Sequence, residues 1–379
     1  MKICFIELMP FPYKIGGGTT HLINLGKALA ELGHEVHVIS SRPGKSYPLV
    51  KNAPRKVILH NVGMPHKKFE KGIFSYYLYR MFFEISFVLG AMKELKKINP
   101  DIIDCQSSIT TALPASLSKY PFVITCHGIH EHGFGKLYSS KGNKFTAKFL
   151  NKIYLAISKY NVKKTIKLIS QGRATLDYYL NLAGDSSKGV LVQNLVDTEF
   201  WKYSTNKQDN LIATVARLTK QKALDKLILA MKLLPNYRLK IAGEGELEKE
   251  LKSIAGKNIE FLGYQNPNDC LKLYSKARFT VLPSEFEGLP YSILEAMSAG
   301  VIPITTKVGD LPTLIQNGKN GFLLQNNNPK TISDVIKSAE KMNLKRISEA
   351  SRQTIMDKHG SKKVAEAFVK EYKRCLSLS

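Results

Sequence analysis

Two glutamates, Glu287 and Glu295, stand eight positions apart in PSEFEGLPYSILEAMSAGVIPITT, residues 283–306. A strand pattern there runs into a loop holding Glu285, Glu287 and Gly288, and Pro290 starts the turn into a helix that carries Glu295. The start of a helix favours a phosphate through its unbonded N–H groups and its dipole. A carboxylate beside it can accept both hydroxyls of a ribose. Spacing alone leaves open that Glu295 stabilises its own helix and that Glu287 is solvated. A second pair of charges lies in VARLTKQKALDKLILAM, residues 215–231, where Arg217 ends a strand pattern and Lys222 follows in the loop. When a bond to a phosphate oxygen breaks, negative charge grows on that phosphate, and fixed cations stabilise such a transition state more than the ground state. Arginine offers a planar fork and lysine a compact charge, so the two are chemically apt. In a chain with 56 Lys and Arg, two cations alone are a weak signal.

Two further clusters lie in the first half. Gly16, Gly17, Gly18, Thr19 and Thr20 separate the first strand pattern from the first helix pattern. Glycine there allows a tight turn and close approach of backbone to a diphosphate or a sugar. The full GxGxxG pattern is absent, as is the acid about 20 residues on that marks a dinucleotide site. His127 and Gly128 follow an apolar strand. A histidine there can hydrogen-bond a sugar or position an acceptor hydroxyl, and it can equally be a structural turn residue. His130 and His132 lie close by without a carboxylate or cysteine partner, a poor metal set, and no D-x-D occurs in the chain.

Short β-branched runs alternating with helical patterns must position these residues. Strands are expected at 2–7, 35–40, 57–62, 102–105, 122–126, 167–170 and 190–192, with helices at 19–32 and about 75–97 between them. The rhythm restarts with strands at 211–216, 238–242, 259–262, 279–282, 302–305 and 321–323, and helices at about 223–234, 247–255, 268–276 and 292–299. This is the pattern of two doubly wound parallel sheets, so the expected fold class is α/β with two Rossmann-like domains facing a cleft at the carboxyl ends of their strands. The expected boundaries are 1–197 and 211–355, joined by the polar linker 198–210, with a final helix at 356–379 that caps the second domain or crosses back to the first.

The 379 residues suit two domains, and 44% hydrophobic with 23% charged residues is a globular balance. The five cysteines, Cys4, Cys105, Cys126, Cys270 and Cys375, have no CxxC or metal spacing and read as buried small hydrophobes in a reducing compartment. The N-terminal apolar run is broken by Glu7 and prolines, unlike a signal peptide. Residues 73–92 approach a membrane span in length, but Arg80 and Glu84 sit one turn apart inside them, which favours a buried or interfacial helix. The expected location is cytoplasmic, peripheral on the inner face of a membrane. A net charge of +25 asks for an anionic partner. The densest stretch, 136–173, holds Lys136, Lys141, Lys144, Lys148, Lys152, Lys159, Lys163, Lys164, Lys167 and Arg173 without an acidic residue. Phe134, Tyr138, Phe145, Phe149, Tyr154 and Tyr160 are interleaved with these cations. That mixture suits an anionic membrane surface. A solvated helix face with its aromatics turned inward is the plainer alternative, and no nucleic-acid motif accompanies the charge.

EGLPYSILEAMSAG resembles the E-x7-E signature of the family 4 retaining glycosyltransferases, and ARLTKQKA resembles their G-R-L-x-x-x-K-G with Ala216 and Ala223 in place of the glycines. The resemblance implies a GT-B fold. Glu295 then holds the nucleotide ribose, and Glu287 lies by the donor sugar. Gly288, Leu289 and Pro290 approach the sugar and diphosphate, and Arg217 and Lys222 grip the phosphates. Thr125-Cys126-His127-Gly128 is similar to the family's T-x-H-G, and Gly16–Thr19 occupy the place of its N-terminal glycine-rich loop. Gly243 and Gly245 resemble its G-x-G turn, and Gly263 and Tyr264 fall where the nucleotide base packs. Residues 193–198, QNLVDT, resemble its N-G-V-D-T, whereas 307–313, KVGDLPT, depart from its G-G-x-x-E.

The expected function is metal-independent, retaining transfer of a hexose or N-acetylhexosamine from a nucleotide sugar. UDP-sugar comes first as donor and GDP-mannose next, and the acceptor is a glycan or lipid-linked acceptor of the cell envelope. No cofactor and no nucleic-acid partner is expected. The alternatives are a non-catalytic basic protein that binds a membrane or polyanion, or another GT-B sugar-nucleotide enzyme such as an epimerase.

Overall fold

The computed structural model describes residues 1–12, 16–44, 56–65, 73–128 and 144–378. The chain divides into two compact units, Met1–Leu195 with Lys362–Ser379, and Val196–Ser361. In the first, β1 (Lys2–Glu7), α1 (Gly17–Glu31), β2 (Glu35–Ser41), β3 (Val57–Val62), α2 (Ile73–Ile98) and β4 (Ile102–Cys105) follow one another. They lead to α3 (Leu113–Ser116), β5 (Phe122–Cys126), α4 (Lys144–Lys164), β6 (Lys167–Ser170), α5 (Arg173–Ala183) and β7 (Gly189–Leu191). The second unit holds β8 (Gln208–Val215), α6 (Leu224–Met231), β9 (Arg238–Ala242), α7 (Glu248–Ile254), β10 (Ile259–Gly263), α8 (Pro267–Lys276) and β11 (Ala277–Leu282). It continues through α9 (Tyr291–Ser298), β12 (Ile302–Thr306), α10 (Leu311–Leu314), β13 (Phe322–Leu324), α11 (Pro329–Ala339) and α12 (Leu344–His359). Finally α13 (Ser361–Leu376) joins the first unit.

Both sheets are parallel throughout, ordered β3-β2-β1-β4-β5-β6-β7 and β10-β9-β8-β11-β12-β13. Strand order reverses between β1 and β4 in one sheet and between β8 and β11 in the other, and ligands of such sheets gather at these reversals. Strands covered on both faces are continuous apolar runs. In β1, Ile3, Cys4, Phe5 and Ile6 are all fully buried. Ile3 and Phe5 pack with Leu22, Leu25 and Leu29 of α1 and with Phe368 and Tyr372 of α13. Cys4 and Ile6 turn the other way, onto Phe87, Ala91 and Leu95 of α2. This period of two lets one short strand feed both layers. In the second unit Ile212, Ile241, Val281 and Ile304 form one layer with Leu227 and Ile228 of α6. Trp201, within the stretch read as a linker, is buried in the opposite layer with Tyr274 and Met297.

Within α2, Arg80 pairs with Glu84 at 2.8 Å. Phe83 and Phe87 are buried, while Met81, Phe82, Ile85 and Leu89 are exposed. Among the described residues no helix is long and apolar enough to cross a membrane. All five cysteines are buried and unbridged.

Candidate active site loops

In the second unit the predicted residues lie on loops that leave the carboxyl ends of the strands, except Gly263, which ends β10, and Glu295, which lies in α9. Val215 ends β8, and the chain passes through Ala216, Arg217, Leu218 and Thr219 into a tight turn at Lys220–Lys222. The Lys222 side chain, 11% exposed, reaches the loop after β11, where its Nζ lies 2.5 Å from Oε1 of Glu287, itself 6% exposed. This ion pair spans the reversal of strand order. The same loops are stapled by Glu285 N–H donating to the Gln221 carbonyl at 2.9 Å and by Gln221 Nε2 donating to the Phe286 carbonyl at 2.8 Å. A pair this buried gains little net stability, because desolvation offsets the attraction, but it holds both charges in one geometry. The Arg217 side chain is exposed, and among the described residues no hydrogen bond or ion pair engages it, although its carbonyl accepts from Thr219 N–H at 2.9 Å.

The glycines of this unit divide into two kinds. At Gly243, with φ of 137°, an added Cβ would stand 1.9 Å from the Ala216 carbonyl oxygen, and at Gly245 it would stand 2.3 Å from that of Leu218. Their missing side chains leave room for the Arg217 loop, which is bonded to the residues before them through Ala216 N–H to Ala242 O and Leu218 N–H to Glu244 O, both 3.0 Å. Gly243 N–H donates in turn to the Gly263 carbonyl at 2.8 Å. At Gly263 and Gly288, by contrast, an added Cβ would meet nothing within 4 Å. Tyr264 beside Gly263 is 52% exposed. Asp310 N–H donates to the Gly288 carbonyl, so the loop after β12 supports the Gly288–Leu289–Pro290 turn from behind.

Glu295 is the fifth residue of α9, and its charge is felt by Cys270 and Tyr274 of α8. Burial alone pushes its carboxyl up to about 8, and among the described residues no donor hydrogen-bonds it. A carboxyl raised by desolvation without a compensating donor suits a ligand that brings hydroxyls. Two residues that the sequence reading passed over belong here. The hydroxyls of Thr219 and Ser284 are buried in the same loops without a hydrogen-bond partner among the described residues. Their only sequence signal was adjacency to the charged motifs. Orphaned buried hydroxyls ask for a partner, and an anionic ligand can supply one.

In the first unit α1 begins at Gly17 behind Gly16, with no side-chain cap. Gly16 and Gly17 are exposed, and an added Cβ would meet nothing within 4 Å. Thr19 sits in the first turn, and a Cβ on Gly18 would lie 3.7 Å from Cδ2 of His127. The glycine turn and His127, distant in sequence, are therefore neighbours. His127 follows β5, its Nε2 lies 2.9 Å from Oε1 of Gln106, and its ring meets that of His21 edge-on at 4.8 Å. The Gly128 carbonyl accepts from the Tyr179 hydroxyl at 3.1 Å. His130 and His132 lie outside the described residues. Among those described, no group of three His, Cys, Asp or Glu side chains is arranged to hold a metal ion.

The basic stretch is described from α4 onward, and Lys136, Lys141, Phe134 and Tyr138 lie outside. Tyr154 turns inward, its hydroxyl donating to Glu84 at 3.1 Å. Phe149, Ile153 and Tyr160 are 58%, 40% and 39% exposed and share a face at spacings of four and seven. Exposed Lys148, Lys152, Lys159 and Lys163 form the neighbouring row.

The family model for glycosyl transferases group 1 matches residues 196–354, and that for glycosyltransferase family 4 matches residues 15–200. An uncharacterized glycosyltransferase of Methanocaldococcus jannaschii is 28% identical over 359 residues, covering 88% of this chain and 87% of that protein. The UDP-Gal:alpha-D-GlcNAc-diphosphoundecaprenol alpha-1,3-galactosyltransferase of Escherichia coli is 28% identical, covering 74% and 75% of the two chains. Among solved structures, sucrose-phosphate synthase from Thermosynechococcus elongatus superimposes with a TM-score of 0.80 at 16% identity, over the whole of both chains. The Anabaena protein HepE, solved with UDP-glucose, gives 0.74 at 17% identity over 99% of this chain and 100% of that one. The chain belongs to the family 4 glycosyltransferases and has the GT-B fold.

Proposed function

We propose that this glycosyltransferase moves a hexose or N-acetylhexosamine from a UDP-sugar to a glycan or lipid-linked acceptor of the cell envelope, with retention at the anomeric carbon and without a metal. The single observation that carries the reading is the Lys222–Glu287 pair across the strand-order reversal, with the exposed Arg217 side chain on the same loop as Lys222. The bond from the anomeric carbon to the β-phosphate oxygen breaks, its electron pair stays on the diphosphate, and Arg217 and Lys222 meet that charge. The acceptor oxygen bonds the same face of the anomeric carbon, and its proton passes to the departing phosphate. Glu295 accepts the ribose hydroxyls, and the hydroxyls of Thr219 and Ser284 donate to phosphate oxygens. Glu287 holds the donor sugar while steering Lys222. The turn Gly16–Thr19 and His127 serve the sugar and the acceptor. The open side of Gly263 and the exposed Tyr264 take the base. A UDP donor is supported by the UDP-Gal in the name of the Escherichia coli relative and the UDP-glucose in the HepE structure. GDP-mannose is the next candidate.

The acceptor side is read as membrane-associated, with the protein peripheral on an anionic cytoplasmic face. The exposed Phe149, Ile153 and Tyr160 stripe beside a lysine row has the make-up of an interfacial helix. A thermal-shift screen of UDP, GDP and their sugars tests the donor. A ligand at about 100 times its dissociation constant stabilises by about 2.7 kcal/mol. Anomer-resolved analysis of the product then tests retention. Stabilisation by no nucleotide sugar, with binding to polyanions intact, would replace this reading with the non-catalytic one.

A further inference from the structure

Behind His127 lies a line of buried polar groups that no motif marks. Gln106 is 2% exposed, and Asp104 and Tyr372 are fully buried. Nε2 of Gln106 donates to Oδ1 of Asp104 at 3.0 Å, and the Tyr372 hydroxyl donates to Oδ2 at 2.5 Å. Oε1 of Gln106 faces Nε2 of His127 at 2.9 Å. Asp104 is the last but one residue of β4, Gln106 follows the strand directly, and Tyr372 comes from α13, separated from Asp104 by 268 positions.

We infer that Asp104, Gln106 and Tyr372 are positioning residues that set the tautomer and ring orientation of His127, with the charge on Asp104 transmitted through the orientation of the Gln106 amide. An ionised carboxylate can only accept, so Gln106 must turn its NH2 to Asp104 and its oxygen to His127. His127 then carries its hydrogen on Nε2, and the acceptor nitrogen of the neutral ring is Nδ1. If Asp104 were neutral and donating, the amide would flip, its NH2 would face Nε2, and the hydrogen would move to Nδ1. The chain is thus a two-state wire whose setting is the proton on Asp104. Burial pushes the Asp104 carboxyl up to about 7, against the pull of the Tyr372 hydroxyl and the nearby polar groups of Thr125. The groups that face it are Tyr372 and Cys375 of α13, Cys105 beside it on β4, and Thr125 of β5; none is a cation. Helix α13 grips the ring by a second route. Phe368 packs on His21 at 5.7 Å, and His21 packs on His127. Burial holds His21 well below the usual histidine range, so this neighbour stays neutral.

The catalytic consequence rests on the proposed function, in which His127 bonds a sugar hydroxyl. The tautomer does not, so the two can fail separately. The test is 15N-detected NMR of imidazole-labelled protein without substrate at pH 9, above the Asp104 range. The His127 resonance is the one absent from His127→Gln. The wild type should show the Nε2–H pattern. Asp104→Asn, isosteric and able to donate to the flipped amide, should show Nδ1–H, and Gln106→Leu should show a mixture. Asp104→Asn should also lower kcat/KM by roughly 10–100-fold, the worth of one or two misdirected hydrogen bonds. Asp104→Glu should retain the Nε2–H pattern. If the wild type shows Nδ1–H, or if Asp104→Asn and Gln106→Leu both leave its pattern unchanged, the inference is overturned. Should Asp104→Asn fail to fold, Gln106→Leu decides alone. A correct tautomer response without any change in turnover would uphold the wire and remove His127 from the proposed reaction.

Discussion

The loops of the second unit and the surroundings of His127 in the first are built in opposite ways. In the second unit the chemical groups hold one another: Lys222 bonds Glu287, Gln221 bonds the backbone at Phe286, and Gly243 and Gly245 make room for the Arg217 loop. Every participant lies in or beside a sequence motif. His127 is instead held by Gln106, Asp104 and Tyr372, which resemble nothing in particular when read along the chain. One site is wired motif to motif, and the other leans on a scaffold gathered from distant segments. A self-wired site should fail locally and sharply, whereas a scaffolded one should fail by degrees.

The sharpest break is at the cations. Arg217→Ala and Lys222→Ala should each lower kcat/KM by about 10²–10³ with a proven donor. Urea unfolding should separate them. Loss of Lys222 leaves Glu287 buried and unpaired and costs about 3–5 kcal/mol, while loss of exposed Arg217 stays within about 0.5 kcal/mol. Equal stabilities would mean that the pair is not the buried contact described here.

The outer faces of the units can be set against each other as well. Replacing Lys148, Lys152 and Lys159 together by alanine should weaken sedimentation with phosphatidylglycerol vesicles by roughly 100-fold, at about 1 kcal/mol per lysine. The same number of alanines on exposed lysines of the second unit should change little. Retained binding in the α4 variant would remove the membrane from the proposal.

Glycines sharpen the contrast next. Gly243→Ala forces a Cβ onto the Ala216 carbonyl at a positive φ and should cost about 3 kcal/mol or more. Gly16→Ala, in extended backbone with open space beside it, should cost about 0.5 kcal/mol.

Glu295 predicts a pH dependence. Its folded pKa, about 8, lies above the ordinary 4.5, so its ionisation takes stability away as the pH climbs through that window. A ribose that donates hydroxyls to the ionised form binds better as the carboxyl deprotonates. Nucleotide affinity should therefore rise about tenfold from pH 7 to 9, and Glu295→Gln should flatten the rise. Calorimetry at the two pH values measures it, and a flat wild-type profile would take Glu295 out of the site.

The smallest effect belongs to a departure from the family pattern. Ala223 stands where the resemblance places glycine, and its φ is 47°, in the left-handed region. Ala223→Gly should stabilise by about 0.5–1 kcal/mol, the relief of a crowded Cβ less the added freedom of the unfolded chain. A loss of stability would show the alanine to be unstrained.

Both parallel sheets were legible in advance, because strands covered on two faces must be short apolar runs and the helices between them must be amphipathic. Strand ends moved by one to three residues: β8 starts at Gln208, within the polar stretch read as a linker, where pairing with Ala277 of β11 extends the strand through exposed residues, and burial draws Trp201 of the same stretch into the core. Glu287, Glu295, Arg217 and Lys222 were legible because their spacing is tied to a turn between a strand and a helix. That Glu287 meets Lys222 while Glu295 faces Cys270 and Tyr274 was not legible, since contact depends on which strands are neighbours.

What the sequence determined by itself was local and periodic: alternation, turn chemistry and charge at fixed offsets, all set by backbone sterics and burial within a few residues. What tertiary structure decided was adjacency. Tyr372 comes to Asp104 only because α13 packs against the far face of a sheet begun at residue 2, and Gly18 comes to His127 only because β1, β4 and β5 lie side by side. Such meetings follow from the collective burial of apolar layers, and no window of sequence contains them.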